Sequence, residues 1–242
     1  MAGTHYSLQK WLKYAECMSR GMSVRRTAQE VGISIPTAFY WRHKILTALR
    51  NLPKPSLTGI VEADETFFRE SDKGQRHLKR QPRRRGASAP LRGISHHQIC
   101  VLVARDRQAA TVSEVSGRGH VTAKQIETVL DGVLHDCVLC CDAAAGYRKY
   151  ANTKQIPLQV LNATRGAKKY GLYHLNNVNA YHSRLKRWIN PFNGVSTKYL
   201  PNYLVWFQRQ DSMGMLPRSV VANRLLDHSH LPTVFTTTKR LL

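Results

Sequence analysis

The chain has 242 residues, enough for one medium domain beside a small one and for a real buried core. Its 42% apolar content sets it apart from disordered chains. Thirty-seven Lys and Arg stand against 15 Asp and Glu, a formal charge of +22. Self-repulsion on that scale calls for a polyanionic partner, nucleic acid ahead of a membrane surface. No apolar run approaches the ~18 residues of a spanning helix, and the N-terminus lacks the apolar core of a signal peptide. An intracellular place is therefore expected. Five cysteines, an odd count with three bunched at 137–141, make a poor disulfide framework.

Residues 7–50 are helical in pattern. Trp11, Leu12 and Tyr14 open an amphipathic segment that runs to about Arg20. Ser23 caps the next, 24–31, which stops at Gly32. Ser34 caps a third, with Pro36 tolerated in its first turn. Ala38, Trp41 and Ile45 give that helix one buried stripe. Residues 51–56, with two prolines, form a linker.

The pattern then changes. Residues 59–68 are strand-like and contain Asp64, and 75–92 are a basic loop with Arg76, Arg80, Arg83, Arg84 and Arg85 and no acid. Residues 98–104 form a buried strand, with 110–115 as its antiparallel neighbour. A helix over 122–134 is capped by Thr122, and an apolar strand over 137–142 ends on an acid. Cys137 and Cys140 have half the spacing of a zinc site, but no second pair completes it, and their flanks read as a buried strand. A helical turn at 147–152, a short strand at 158–161, a basic loop at 165–171 and a long helix at 176–189 follow. Strand, strand, strand, helix, strand, helix, strand, helix is the order of an RNase H-like α/β domain. Beyond about Gln210 the pattern is weak, and no structure is assigned.

Ala28, Gly32, Ile33 and Ser34 have the layout of a helix-turn-helix corner: a small residue for close approach, a glycine for the turn and an apolar plug. The second helix would present Thr37, Arg42, His43 and Lys44 on its polar side, with Arg25 and Arg26 on the preceding helix near phosphates. A basic three-helix bundle without that role is the plainer alternative.

In a chain so poor in acids, each strand acid counts. Along an alternating strand Glu62 and Asp64 share a face while Glu65 points away. Asp142 ends the apolar run 137–141. Carboxylates at neighbouring strand ends are hard oxygen ligands on rigid elements, suited to a pair of Mg²⁺ ions in phosphodiester cleavage. The alternative is that both are surface acids paired with the many arginines.

Glu62-Ala63-Asp64-Glu65-Thr66, the basic loop after it, Cys141-Asp142 before Tyr147, and the run from His174 through Asn179 to Lys186-Arg187 together resemble insertion-sequence transposases of the DDE superfamily. The branch is the one whose third catalytic helix carries Glu or Asn followed seven residues later by Lys. The stretch 195–204 and the N-terminal Trp11, Gly32-Ile33-Ser34, Trp41-Arg42 and Ile45 are similar to that branch too, so the resemblance spans roughly residues 7–210. It implies an RNase H-like core that binds two Mg²⁺ (or Mn²⁺) ions and cuts and rejoins transposon ends. Asp64 and Asp142 would be the first two metal ligands, Asn179 the third, and Lys186 a DNA contact at the site. Arg187 and the loop residues Arg83, Arg84 and Arg85 would also meet DNA. Residues seven apart on a helix differ by about 20° in azimuth, so Asn179 and Lys186 share a face.

Two departures stand out. The third position is Asn, which can ligate through its carbonyl oxygen but brings no charge, and no Cys pair precedes Trp11 where this branch commonly has a zinc ribbon. The expected organisation is a helix-turn-helix domain at 1–50, a linker at 51–56, a catalytic domain at 57–210 and an extension at 211–242. The expected partners are double-stranded DNA, as transposon ends and as target, and further copies of the chain in the active complex, in a bacterial cytoplasm at the nucleoid. A stand-alone nuclease leaves the N-terminal helices unexplained. A DNA-binding regulator leaves the acids as accidents, and a catalytically degenerate copy is the alternative that the departures from the branch's pattern raise.

The charge makes a direct prediction. If about six phosphates are neutralised, a salt titration of duplex-DNA binding should give a slope of log K against log salt near −5. A slope close to zero would remove the electrostatic reading.

Overall fold

The structure, a computed structural model, describes residues 5–78, 80–82, 91, 93–142, 144–161, 169–214 and 216–229. Arg83, Arg84 and Arg85 lie outside these. The chain divides into two compact units, one formed by the described residues of Met1–Pro53 and Asn202–Leu242, the other by those of Lys54–Pro201.

The first unit is helical. α1 (Leu8–Ser19), α2 (Val24–Val31) and α3 (Ile35–Arg50) follow one another as expected. Ser23 and Ser34 each accept a backbone N–H from the first turn of the helix they cap, at Arg26 and Thr37. Gly32 takes the left-handed conformation at φ 69°, which a side chain would strain, and turns the chain between α2 and α3. Trp41 stacks on Trp11 with ring centroids 3.7 Å apart, and the Tyr14 hydroxyl donates to the Ala38 carbonyl.

The C-terminal residues belong to the same unit. α7 (Leu200–Met213) is followed by α8 (Arg218–Ser229), which packs on α1 and α3. The sequence pattern assigns no structure beyond about Gln210, where α8 lies. The weak local pattern has a physical origin: Val221, Ala222, Leu225 and Leu226 are buried, but they form only a narrow stripe. That stripe acquires meaning only when α1 and α3 cover it.

This packing corrects the recognition face of α3. Arg42 is fully buried, with Nη2 donating to the Met22 carbonyl at 2.7 Å and to Thr27 Oγ1 at 3.3 Å, and its guanidinium lies 4.9 Å from the centre of the Trp206 ring. His43 is 1% exposed and its Nδ1 meets Asn202 Nδ2 at 2.9 Å. Neither side chain is on a polar outer face, because α3 is covered on two sides and not along one stripe. The open face of α3 carries Lys44, exposed, with Thr37 and Tyr40 half-buried beside it at helical spacing. Arg25 and Arg26 on α2 are exposed.

The second unit is built on a five-stranded sheet. β1 (Leu57–Arg69), β2 (Gln98–Asp106) and β3 (Thr111–Arg118) pair antiparallel in succession. α4 (Ala123–Leu130), opened by a complete capping box at Thr122 and Gln125, leads to β4 (Leu134–Cys141), and α5 (Ala145–Lys154) leads to β5 (Leu158–Val160). β4 and β5 run parallel, so the strand order is β3-β2-β1-β4-β5. That is an RNase H-like mixed sheet, as the element order predicted. One face packs on α4 and α5 through Val61, Ala63, Leu102, Ile126, Leu139 and Tyr147. Cys137 and Cys140 sit on β4, Cys140 buried, in keeping with the strand expected there.

A hairpin, β6 (Lys169–Tyr170) and β7 (Tyr173–His174), stands where a basic loop was expected. Two-residue strands leave no alternation to detect. α6 (Asn176–Ile189) follows at the predicted bounds and lays Val178, Tyr181, His182 and Leu185 against the protein.

The two corrected residues can be separated from an exposed neighbour by stability. Arg42→Ala removes a large buried side chain and its contacts to Met22 and Thr27, and should lower unfolding free energy by about 3 kcal/mol in denaturant melts. Lys44→Ala should stay within about 0.5 kcal/mol of the parent. Equal, small effects would place Arg42 on the surface.

Candidate active site

β1 pairs with β4 in parallel, and the last registered pair is Glu62 with Cys140. Two residues further along each chain stand Asp64, still inside β1, and Asp142, just past the end of β4, so the register sets the two acids side by side. Alternation along β1 sends Val61 and Ala63 into the α4–α5 core, whereas Glu62 and Asp64 face α6. Glu65 turns to the other side, towards Tyr147.

Burial raises the Asp64 carboxyl to about 6, the negative charge of Asp142 adds to this, and a backbone hydrogen bond and the Lys186 charge partly offset it. Glu65 is pushed up to about 7, again chiefly by burial, with the charges of Asp64 and Asp142 reinforcing it and the Tyr147 hydroxyl opposing. That hydroxyl and Glu65 Oε1 are both buried and, although electrostatically coupled, fall short of hydrogen-bond geometry. Asp142 Oδ1 accepts the Ala144 N–H at 2.9 Å, which starts α5 and fixes the carboxylate.

α6 brings a third group to Asp64. His182 Nδ1 lies 3.8 Å from Asp64 Oδ2. Burial, helped by the Lys186 charge, lowers His182 to about 4, so the ring is neutral at neutral pH and this contact is no ion pair. Lys186, four residues on and exposed, acts electrostatically on both Asp64 and His182. Asn179, one turn before His182, is exposed on the same helix, and its carbonyl accepts the Ser183 hydroxyl. Arg187 is exposed next to Lys186. Beside Lys186 opens a cavity of about 720 Å³ lined by Phe67, Arg69, Lys73, Arg80 and Ile189 among others.

The sequence reading missed two members of this site, Glu65 and His182. Glu65 was set aside for pointing away, which it does, but its charge is still felt by Asp64's neighbours through the strand. His182 had a findable signal: it lies between Asn179 and Lys186 on their shared helix face. Among the described residues no group of three or more His, Cys, Asp or Glu converges as a metal cage. The donor set nevertheless fits hard divalent cations. Asp64 on rigid β1 is partly desolvated and repelled by Asp142 at the end of neighbouring β4, a tension that a cation relieves.

Residues 56–208 match the family described as the ISXO2-like transposase domain. The chain is 24% identical over 223 residues to an uncharacterized protein in transposable element ISH50 of Halobacterium salinarum, covering 91% of this chain and 75% of that one. Among solved structures, a pre-cleavage Mos1 transpososome aligns over 95% of this chain and 80% of its own, at 12% identity and a TM-score of 0.32. The Drosophila P element transposase strand transfer complex aligns over 94% and 65%, at 10% identity and a TM-score of 0.34. These structural likenesses are faint, and the fold rests on the strand order itself.

The raised carboxyls carry a sign that can be measured. With folded values near 6 and 7 against ordinary ones of 3.8 and 4.5, the folded protein holds more protons than the unfolded chain across that window. The associated stability is complete below about pH 4 and is lost as pH rises through 6–7. Metal-free Asp64→Asn should therefore exceed the parent in stability at about pH 8, by on the order of 2 kcal/mol, with the gap closing towards about pH 4. A gap independent of pH would contradict the burial of Asp64.

Proposed function

The chain belongs to the family of ISXO2-like transposase domains, and from that premise we propose that it cleaves and rejoins DNA at the ends of an insertion sequence in a reaction dependent on Mg²⁺ or Mn²⁺. The observation that carries the reading is the meeting of Asp64, midway along β1, with Asp142 just past the end of β4, with Asp64 held up to about 6. Asp64 and Asp142 hold a pair of divalent ions, and Asn179 completes the set through its carbonyl oxygen. The ions, when bound, supply the positive charge that activates an attacking oxygen and steadies the leaving one.

The remaining work falls to the chain. Lys186, exposed and within electrostatic reach of Asp64, attracts the phosphate that carries the scissile bond. Neutral His182 covers Asp64 from the α6 side without cancelling its charge. Arg69 and Arg80 in the cavity beside Lys186, with exposed Arg187, give the DNA backbone basic partners, and Arg83, Arg84 and Arg85 add to the positive charge of the chain. End recognition falls to the helical unit, where Thr37, Tyr40 and Lys44 face outward on α3 and Arg25 and Arg26 meet phosphates. With Asn in the third position, two aspartates supply −2 against the +4 of two cations, and DNA phosphate makes up the difference. Several copies of the chain pair the two ends. Among the described residues no helix is long and apolar enough to cross a membrane.

Cleavage of DNA bearing the element's own ends tests the assignment. Asp64→Asn and Asp142→Asn should each slow cleavage by at least ~100-fold while DNA binding survives, and chelation should stop the parent. Asn179→Ala should need more metal for half-maximal rate, and Asn179→Glu should bind metal more tightly without DNA. Normal cleavage by Asp64→Asn would end the proposal.

A further inference from the structure

α6 begins without the usual local support. Its N-cap position is Leu175, no side chain there accepts a hydrogen bond, and its first turn contains no acid. The orphan N–H groups of a helix start must nevertheless find acceptors. The Asn176 N–H reaches His174 Nδ1 at 3.3 Å, and the Asn179 N–H bonds back to the Leu175 carbonyl. The two between them go to a residue more than a hundred positions away. Glu62 Oε2 accepts from Asn177 N at 2.8 Å and from Val178 N at 2.9 Å.

The Glu62 side chain is 1% exposed, and its other oxygen, Oε1, lies 2.8 Å from Arg107 Nη1 and 3.2 Å from His174 Nδ1. Oε1 is close enough for an ion pair with Arg107, though not aligned as a hydrogen bond. Arg107 Nη2 in turn donates to the Leu172 carbonyl at 2.9 Å, at the hairpin that precedes α6. With Oε2 taken by two helix amides and Oε1 charge-paired with Arg107, this carboxylate is already compensated, unlike the neighbouring Asp64. Its geometry serves a different end. Glu62 sits two residues before Asp64 on the same face of β1, and the turn it grips lies directly before Asn179.

We infer that Glu62 is a positioning residue, a remote cap that locks the first turn of α6 to β1 and thereby sets Asn179 and Lys186 against Asp64, with Arg107 holding the clamp shut. The inference rests on the reading above for what that helix face does. The negative charge also suits the positive end of the helix dipole, and charge-assisted bonds to backbone N–H are stronger than neutral ones.

The test uses the full chain with Glu62→Gln and Arg107→Gln. Three quantities are read: single-turnover cleavage of element-end DNA at saturating protein and Mn²⁺, Kd for the same DNA, and amide hydrogen exchange over residues 175–181. In Glu62→Gln, exchange at Asn177 and Val178 should quicken by ~10-fold or more and the saturating rate should fall by ~10-fold or more, with Kd within about two-fold. Arg107→Gln should show the same pattern more weakly, and it carries the test if Glu62→Gln does not fold, because the Arg107 side chain is a quarter exposed. Val129→Ala, a core truncation on α4, should lose thermal stability yet keep its saturating rate. Unchanged exchange in both variants, or quickened exchange with undiminished cleavage, overturns the clamp. So does an equal loss of rate in Val129→Ala. A fully active Asp64→Asn would remove the active-site reading instead, and the clamp would then stand or fall on exchange alone.

Discussion

β1 is paired along both edges, antiparallel to β2 from Val61 to Arg69 and parallel to β4 from Leu57 to Glu62. Both pairings are fixed by the same alternation. Val61 and Ala63 enter the apolar core, so Glu62 and Asp64 must face the other way, and a slip of one residue would drive two carboxylates into the layer of Ile126, Leu139 and Tyr147. The parallel pairing with β4 then decides the chemistry, because it is what brings Asp142 beside Asp64. The hydrophobic pattern that folds the sheet and the acid pair that gives it a use are consequences of one register.

The helical unit spends its charge differently from the rest of the chain. Arg42 is in its interior, over the Trp206 ring and bonded to Met22 and Thr27, with two of its guanidinium nitrogens left without hydrogen bonds. A buried cation so lightly paired is costly unless the packing around it is otherwise secure. Trp11, Tyr14 and Trp41 on one side and the residues of α7 and α8 on the other provide that security. The outer face of α3 is consequently mixed in character, with an aromatic and a hydroxyl beside a single lysine.

Much of this was legible in the sequence because the signals were local. Ser23, Gly32 and Ser34 punctuate α2 and α3 by their own backbone preferences, and the Thr122–Gln125 box opens α4 for the same reason. The alternation around Asp64 and the seven-residue spacing from Asn179 to Lys186 needed no knowledge of the rest of the fold. What failed was whatever depended on distant chain. Arg42 and His43 looked like surface residues because nothing near them in sequence announces that residues 202–226 cover α3. α8 was unseen for the matching reason, and the part Glu62 plays was hidden because its partners lie at 107 and 174–178.

The three acids of β1 show how such a basic protein keeps negative charge where it is wanted. Glu62 is neutralised from within by Arg107 and two helix amides. Glu65, on the opposite face, meets the Tyr147 hydroxyl and is raised to about 7, close to losing its charge at neutral pH. Asp64 lies between them with neither remedy. Its near neighbour on α6 is an imidazole that burial and Lys186 keep neutral, and Lys186 itself is exposed, where solvent weakens its hold. Asp142 adds a second negative charge and no relief. A protein carrying +22 could have placed an arginine at this point as it did beside Glu62. Leaving the pair uncompensated costs stability, and cations bound there as proposed would recover that cost, tying the stability of this part of the sheet to the loading of the site.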